Sequence, residues 1–211
     1  MPPLSNPSRH YDAVIFDLLT ALLDSWTLWN RVAGSEEAGL RWRREYLVLT
    51  YEAGAYRPYE DIVRDAAMNT DISASTADTL LNSWGSLALW PEAKQVLDKL
   101  RKRVPVGIAT NSSDRLAEIA VRAAGGRFAA VATAESAGFY KPRPEPYQQA
   151  IERLGVPPNR ILFVAGSAAD VPGATGVGMT VYWHNRMNLP PVDDVSPRYT
   201  EGLLSPLLDL V

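Results

Sequence analysis

Short continuous apolar runs alternate with amphipathic stretches along most of this chain. Five runs stand out, at residues 13–17 (AVIFD), 105–110 (PVGIAT), 129–133 (AAVAT), 161–164 (ILFV) and 179–183 (MTVYW). Each is short and has turn or polar residues nearby, which predicts strands buried on both faces of a parallel sheet. The later runs are separated by helical patterns. PEAKQVLDKLRKR places Ala93, Val96, Leu97 and Leu100 at helical spacing, SSDRLAEIAVRAAGG starts with Ser and Asp and ends in glycines, and PYQQAIERLG ends likewise. Strands alternating with helices over residues 92–211 predict a doubly wound α/β core.

The pattern changes over residues 23–90, which carry helical periodicity and no convincing strand. AGLRWRREYLVLTYEAG has Leu40, Leu47 and Tyr51 on one stripe, and PYEDIVRDAAM and STADTLLNSWGSL read as further helices. A helical insertion therefore follows the first strand. Near the end, NLPPVDDVSP reads as a proline-rich surface loop before a closing helix that contains Leu203, Leu204, Leu207 and Leu208. No internal repeat interrupts this order.

Composition narrows the function. The chain has 211 residues, 46% hydrophobic and 21% charged, as expected of a soluble globular protein with one core. Its net charge is 21 − 24 = −3, so no nucleic-acid or anionic-membrane partner is expected. The absence of cysteine removes disulfides, thiolate nucleophiles and thiolate metal sites, and leaves oxygen or nitrogen as the nucleophile. The polar, proline-rich opening MPPLSNPSRH lacks a signal-peptide core, and no apolar run approaches the roughly 20 residues that span a bilayer. A cytoplasmic location is expected. His10 and His184 lie in unlike contexts and suggest no metal pair.

In a parallel sheet, ligands bind beyond the carboxyl ends of the strands, and those ends are unusually polar here. The first run ends at Asp17 and the second at Thr110 and Asn111. The third is followed by AESAGFYKPRP with Lys141, and the fourth by AGSAAD with Ser167 and Asp170. Any one of these has a bland reading as a cap, a turn or a solvated charge. Four together at one sheet edge point to a site.

Those residues, in that order, resemble the four motifs of the haloacid dehalogenase superfamily. The resemblance covers nearly the whole chain and implies a Rossmann-like core at residues 1–22 and 91–211 with an inserted α-helical cap at 23–90. Most of that superfamily are magnesium-dependent phosphatases, which carry a second Asp two residues after the first and an acidic residue before the serine of the fourth motif. Here those positions are Leu19 and Gly166. Phosphoryl transfer needs cationic charge on the phosphoryl oxygens, so the loss of both disfavours it. The branch lacking both is the 2-haloacid dehalogenases, which attack carbon and release halide, a stable anion that needs no proton. LRWRREYL, ATNSS, FYKPRPEPY and VYWHNRMN are similar to that branch as well.

The resemblance implies conversion of a small 2-halo acid to the 2-hydroxy acid through an ester on Asp17, without metal or other cofactor. It implies that the backbone N–H groups of Leu18 and Leu19, with Thr110, hold the substrate carboxylate. Arg43, which also falls with Leu40, Leu47 and Tyr51 on one helical stripe, would receive the halide with Asn111. Asp170 would activate water, Lys141 would keep Asp17 ionised and position Asp170, and Tyr147 and Ser167 would orient Lys141 and the water. Where the family carries Gly-Thr, this chain has Thr20 and Ala21. That shift leaves Thr20 to supply a displaced hydroxyl, although a shift by one residue ordinarily turns the side chain elsewhere. The rival readings are a magnesium-dependent small-molecule phosphatase and a catalytically weak anion-binding member. A small anionic substrate and halide are the expected partners, and a homodimer is left open.

Overall fold

The computed structural model describes residues 10–211 and so leaves the polar opening at 1–9 outside the described residues. Six strands form one parallel sheet: β1 (Ala13–Phe16), β2 (Val106–Thr110), β3 (Ala130–Thr133), β4 (Ile161–Ala165), β5 (Thr180–His184) and β6 (Tyr199–Glu201). Their order is β3-β2-β1-β4-β5-β6, with β1 paired in parallel to both β2 and β4. This is a doubly wound α/β sheet whose direction of winding reverses between β1 and β4, the place where such sheets form a crevice. The register sets Phe16 beside Val164 and Ile108, so Asp17 emerges at the same level as the end of β4.

Every residue of β1, β2 and β4 is buried, because helices cover both faces of the sheet. Successive strand residues feed opposite cores. Val14, Phe16, Ile108 and Val164 join one cluster, and Ala13, Ile15, Ala109 and Phe163 join the other. The covering helices are α5 (Ala93–Leu100), α6 (Asp114–Ala123), the short α7 (Ala134–Ala137), α8 (Pro144–Leu154) and α9 (Asp170–Gly176). Ser113 caps α6 by accepting from Leu116 N–H, while Pro144 opens α8 and the left-handed Gly155 closes it.

The insertion between β1 and β2 consists of α1 (Ser25–Ala33), α2 (Glu36–Glu52), α3 (Tyr59–Asn69) and α4 (Ala74–Asn82). Asp24 caps α1 through Thr27 N–H, and Ser35 caps α2 through Ala38 N–H with Glu36 and Glu37 in the first turn. Aromatic rings knit these helices together. Trp29 lies 4.7 Å from Trp42 and 5.5 Å from Tyr46, and Tyr59 lies 5.4 Å from Tyr46 and 5.8 Å from Trp84. Trp42 Nε1 also donates to Val63 O at 2.9 Å, which ties α2 to α3.

Three expectations change. The buried face of α2 is Gly39, Trp42, Arg43, Tyr46 and Thr50, not the Leu40, Leu47 and Tyr51 stripe, because the larger rings fill the space against α1 and α3. Leu47 and Tyr51 face the cleft instead. The segment after the proline-rich loop adds β6 to the sheet, parallel to β5. The expected closing helix is a single 3₁₀ turn, Ser205–Asp209, with Pro206 near its start; Leu204 and Leu207 are buried and Leu203 is exposed. Among the described residues, no helix is long and apolar enough to cross a membrane.

Gly39 is where α2 lies against α1: a Cβ there would sit 2.7 Å from Asn30 Cα and 3.0 Å from Asn30 N. Gly39→Ala should therefore cost about 1–3 kcal/mol of stability in urea unfolding. Gly85→Ala, whose Cβ meets nothing nearer than 3.9 Å, is the reference and should stay near the parent value.

Candidate active site

Asp17 ends β1, where its N–H donates to Val164 O at 2.9 Å and fixes the carboxylate at the reversal point of the sheet. Residues Leu18–Leu22 then form one π-helical turn, closed by Leu23 N–H donating to Leu18 O at 3.0 Å. Its wide ring turns Thr20 and Ala21 back toward the strand. Asp17 Oδ2 accepts from Thr20 N at 2.8 Å, Thr20 Oγ1 at 2.5 Å and Ala21 N at 3.2 Å. The one-residue shift does not turn Thr20 away, and its hydroxyl reaches the carboxylate.

Lys141 arrives from the loop after α7. Its Nζ stands 3.0 Å from Asp17 Oδ1, 3.0 Å from Asp170 Oδ1 and 3.1 Å from Asp170 Oδ2. Asp170 Oδ1 also accepts the Tyr147 hydroxyl at 2.7 Å. Gly173 makes room for that ring, since a Cβ there would lie 2.6 Å from the Tyr147 hydroxyl. Asn111 holds the backbone of Lys141 from both sides, accepting from Lys141 N at 2.6 Å and donating to Lys141 O at 2.9 Å. Its side chain thus serves the lysine, a role that the sequence reading did not give it.

All three ionisable groups are buried, and their neighbours set their charges. Burial alone would raise the pKa of Asp17, but the Lys141 charge and the hydrogen bonds from Thr20 outweigh it and hold Asp17 below the ordinary carboxylate range. Burial is also the largest influence on Asp170. There it prevails, with repulsion from Asp17 added, against the attraction of Lys141, and the pKa is raised. Lys141 loses hydration but gains two carboxylates, and its pKa is raised.

Arg43 projects from α2 toward the same cavity. Its Nη1 donates to Ser25 Oγ at 3.0 Å, and its guanidinium carbon lies 4.1 Å over the Trp26 ring and 5.6 Å from that of Trp29. Burial lowers its pKa, yet a guanidinium stays charged in proteins. Among the described residues no carboxylate forms an ion pair with it, Glu36 and Glu37 included. The cavity holds about 50 Å³ and is lined by Asp17, Leu19, Thr20, Trp29, Arg43, Tyr46, Leu47, Tyr51, Tyr59, Asn111, Lys141, Pro142, Ser167, Ala169 and Asp170. Tyr46 donates to Asn111 O at 3.3 Å, and the Tyr51 phenol faces Ser167, so the helical insertion touches the sheet edge on both sides of the cavity.

The structure therefore gathers Asp17, Leu19, Arg43, Asn111, Lys141, Ser167 and Asp170 around one space. Leu18, Thr110 and Tyr147 are fully buried and do not line it; among the described residues the Thr110 hydroxyl has no partner. Sequence reasoning missed Tyr46, Tyr51 and Tyr59 on the cavity wall, although their place on helices next to Arg43 was a usable signal. It gave His184 no part in the site. That ring is buried, and its Nδ1 lies 3.0 Å from Ala21 O, behind the turn that carries Thr20.

A divalent metal does not fit these residues. Magnesium requires several free oxygen ligands in near-octahedral array. Asp17 Oδ2 already has three donors, while Oδ1 and both oxygens of Asp170 face the ammonium. A Cβ on Gly166 would lie 2.3 Å from Thr20 Oγ1 and 2.4 Å from Ala21 N, so no acidic side chain could stand there. Among the described residues, no group of three or more His, Cys, Asp or Glu is placed to hold a metal.

Residues 11–178 match the family of haloacid dehalogenase-like hydrolases. The chain is 30% identical to (S)-2-haloacid dehalogenase 2 of Pseudomonas sp. (strain CBS-3), over 82% of this chain and 83% of that one. It is 29% identical to (S)-2-haloacid dehalogenase 4A of Burkholderia cepacia, over 88% and 87% of the two chains. A crystal structure of an L-2-haloacid dehalogenase superposes with a TM-score of 0.85 at 30% identity, covering 95% of this chain and 98% of the other.

Lys141→Met should leave two buried carboxylates without a counter-charge and lower stability by about 3–5 kcal/mol at pH 7. The deficit in urea unfolding should shrink as the pH is lowered and the carboxylates take up protons. A variant as stable as the parent at neutral pH would show that the ammonium does not hold this centre together.

Proposed function

Since the chain belongs to the haloacid dehalogenase-like hydrolases, we propose that it is a 2-haloacid dehalogenase, which turns a small 2-halo carboxylic acid into the 2-hydroxy acid and halide. The observation that carries this reading is the space beside Asp17. Leu19 offers no acid for a leaving group, and the volume above Gly166 is filled by Thr20 and Ala21. What remains is a low-pKa carboxylate in a small cavity facing a guanidinium that no carboxylate pairs with among the described residues. Such a centre suits displacement of an anion from carbon.

Asp17 attacks C2, the Asp17 oxygen–C2 bond forms, and the carbon–halogen electron pair leaves with the halide. Arg43 supplies positive charge for the halide or the substrate carboxylate, and its stacking on Trp26 keeps that charge in the cavity. Asp170 then takes a proton from water, which attacks the Asp17 carbonyl carbon. Lys141 keeps Asp17 ionised before attack, and Tyr147 holds Asp170 in line.

Halide release from 2-chloropropionate or chloroacetate should proceed without added metal and in EDTA. A single turnover with excess enzyme in ¹⁸O-water should give unlabelled 2-hydroxy acid and one label on Asp17. Activity confined to phosphate esters with magnesium would return the protein to the phosphatase reading, and label in the first-turnover product would exclude the ester.

Asp17 and Asp170 also titrate apart. As pH falls through the raised pKa of Asp170, that base is lost while Asp17, with its lowered pKa, remains ionised. Turnover should therefore fall at a pH above the ordinary carboxylate range of about 4. Within that acid window the Asp17 ester should accumulate, as rapid quench and peptide mass spectrometry would reveal. Equal loss of both steps would show that one group governs them together.

A further inference from the structure

Resting on that reading, we propose that the Thr20–Ala21 peptide and the Thr20 hydroxyl form the oxyanion hole for hydrolysis of the Asp17 ester, with Trp90 as the residue that positions it.

The two oxygens of Asp17 are not equivalent. Oδ2 receives three donors, from Thr20 N, Thr20 Oγ1 and Ala21 N, whereas Oδ1 receives only Lys141. The less encumbered Oδ1 is the oxygen with a lone pair to spend on C2. Once Oδ1 is esterified, Oδ2 is the carbonyl oxygen. When water adds to Cγ and Asp170 takes its proton, the C=O electron pair moves onto Oδ2, and the negative charge develops where the three donors already point. Collapse then breaks Cγ–Oδ1, the pair leaves with the 2-hydroxy acid oxygen, and that oxygen takes back the proton from Asp170.

Two further observations stand apart from those hydrogen bonds. Trp90 Nε1 donates to Thr20 O at 2.9 Å, and Thr20 O belongs to the same peptide unit as Ala21 N–H. The indole therefore fixes that peptide plane and polarises its N–H toward Asp17. On the other side, the bare Gly166 lets Thr20 Oγ1 and Ala21 N approach to 2.3 and 2.4 Å of where a Cβ would be. The turn is clamped between a donor and a gap, an arrangement that a capping role alone does not require.

Lys141 still holds Asp17 ionised for displacement when these donors are lost, whereas the charge that develops on Oδ2 during hydrolysis has only them, so their loss slows hydrolysis far more than halide release. With 2-chloropropionate, Thr20→Val should give a burst of about one halide per site, followed by turnover slower by about 10²–10³-fold, with ester on the Asp17 peptide after acid quench. Thr20→Ser should restore hydrolysis to within several-fold of the parent. Trp90→Phe keeps a ring there but loses the N–H, and should also accumulate ester with a smaller slowing. Circular dichroism checks that each variant is folded. A folded Thr20→Val that lost the burst, or that turned over at the parent rate without ester, would overturn the hole. If Thr20→Val did not fold, Trp90→Phe without ester would do the same. A parent enzyme releasing no halide would instead overturn the dehalogenase reading itself.

Discussion

Lys141 Nζ is shared between Asp17 and Asp170 at hydrogen-bond distance, with all three groups buried. Removing each charge from water costs several kcal/mol, so this triad persists only because its geometry returns that cost in Coulomb attraction and hydrogen bonds. That requirement reaches far into the fold. Asp17 must end β1, Asp170 must open α9 beyond β4, and the Lys141 backbone must sit where Asn111, just past β2, can grip it. Three strand ends and one loop are thereby held in mutual register at the point where the winding of the sheet reverses.

One ammonium pulls the pKa of both partners down, yet their net shifts are opposite, and the difference lies in what else each carboxylate touches. Asp17 has the backbone and hydroxyl donors of a tight turn in addition to the lysine, and stays ionised easily. Asp170 has one phenol, and burial wins. A nucleophile must be ionised before substrate arrives, and a base must hold its acquired proton for a moment afterwards, so divergent environments suit divergent tasks. The helical insertion adds the remaining charge. Arg43 is held by Ser25 and by the Trp26 face and not by a carboxylate, which leaves its charge directed into the cavity.

Asp17, Thr110 and Asn111 were legible because buried parallel strands announce themselves as continuous apolar runs that end in a polar residue, whereas Lys141, past α7, and Asp170, past Ser167, were legible through the motifs that carry them. β6 escaped for the opposite reason. It is a three-residue edge strand with Thr200 and Glu201 exposed, so neither hydrophobic run nor alternation marks it. The buried face of α2 was misread because leucine spacing was weighed above the aromatic residues Trp42 and Tyr46, whose larger area decides which side packs. Thr20 was undecidable in sequence because counting offsets presumes an ordinary turn. The ring closed from Leu23 N–H to Leu18 O is one residue wider than an α-helical one, which alters which hydroxyl faces the strand end. Trp90 lay in no motif, and the VYWHNRMN likeness gave His184 no role, since the two act from 70 and 163 residues away on the carbonyls of that same turn.

The turn and Gly166 bear on what separates this centre from a phosphoryl-transfer one. The space beside a buried aspartate can hold a metal ligand or a donor to that aspartate, not both. Here Thr20 and Ala21 occupy it, and Gly166 is the residue that permits them to do so. The neutral hydrogen-bond donors that fill the space add to the Lys141 charge in lowering the Asp17 pKa, with no metal ion on Oδ2. A carboxylate stabilised in that way keeps one oxygen available for attack on carbon, while a leaving halide asks for no proton and so leaves Leu19 free to be apolar. Thr20 and Gly166 therefore answer to a single volume: a side chain at 166 would clash with the Thr20–Ala21 turn, and loss of the Thr20 hydroxyl would take a donor from the buried Asp17 carboxylate.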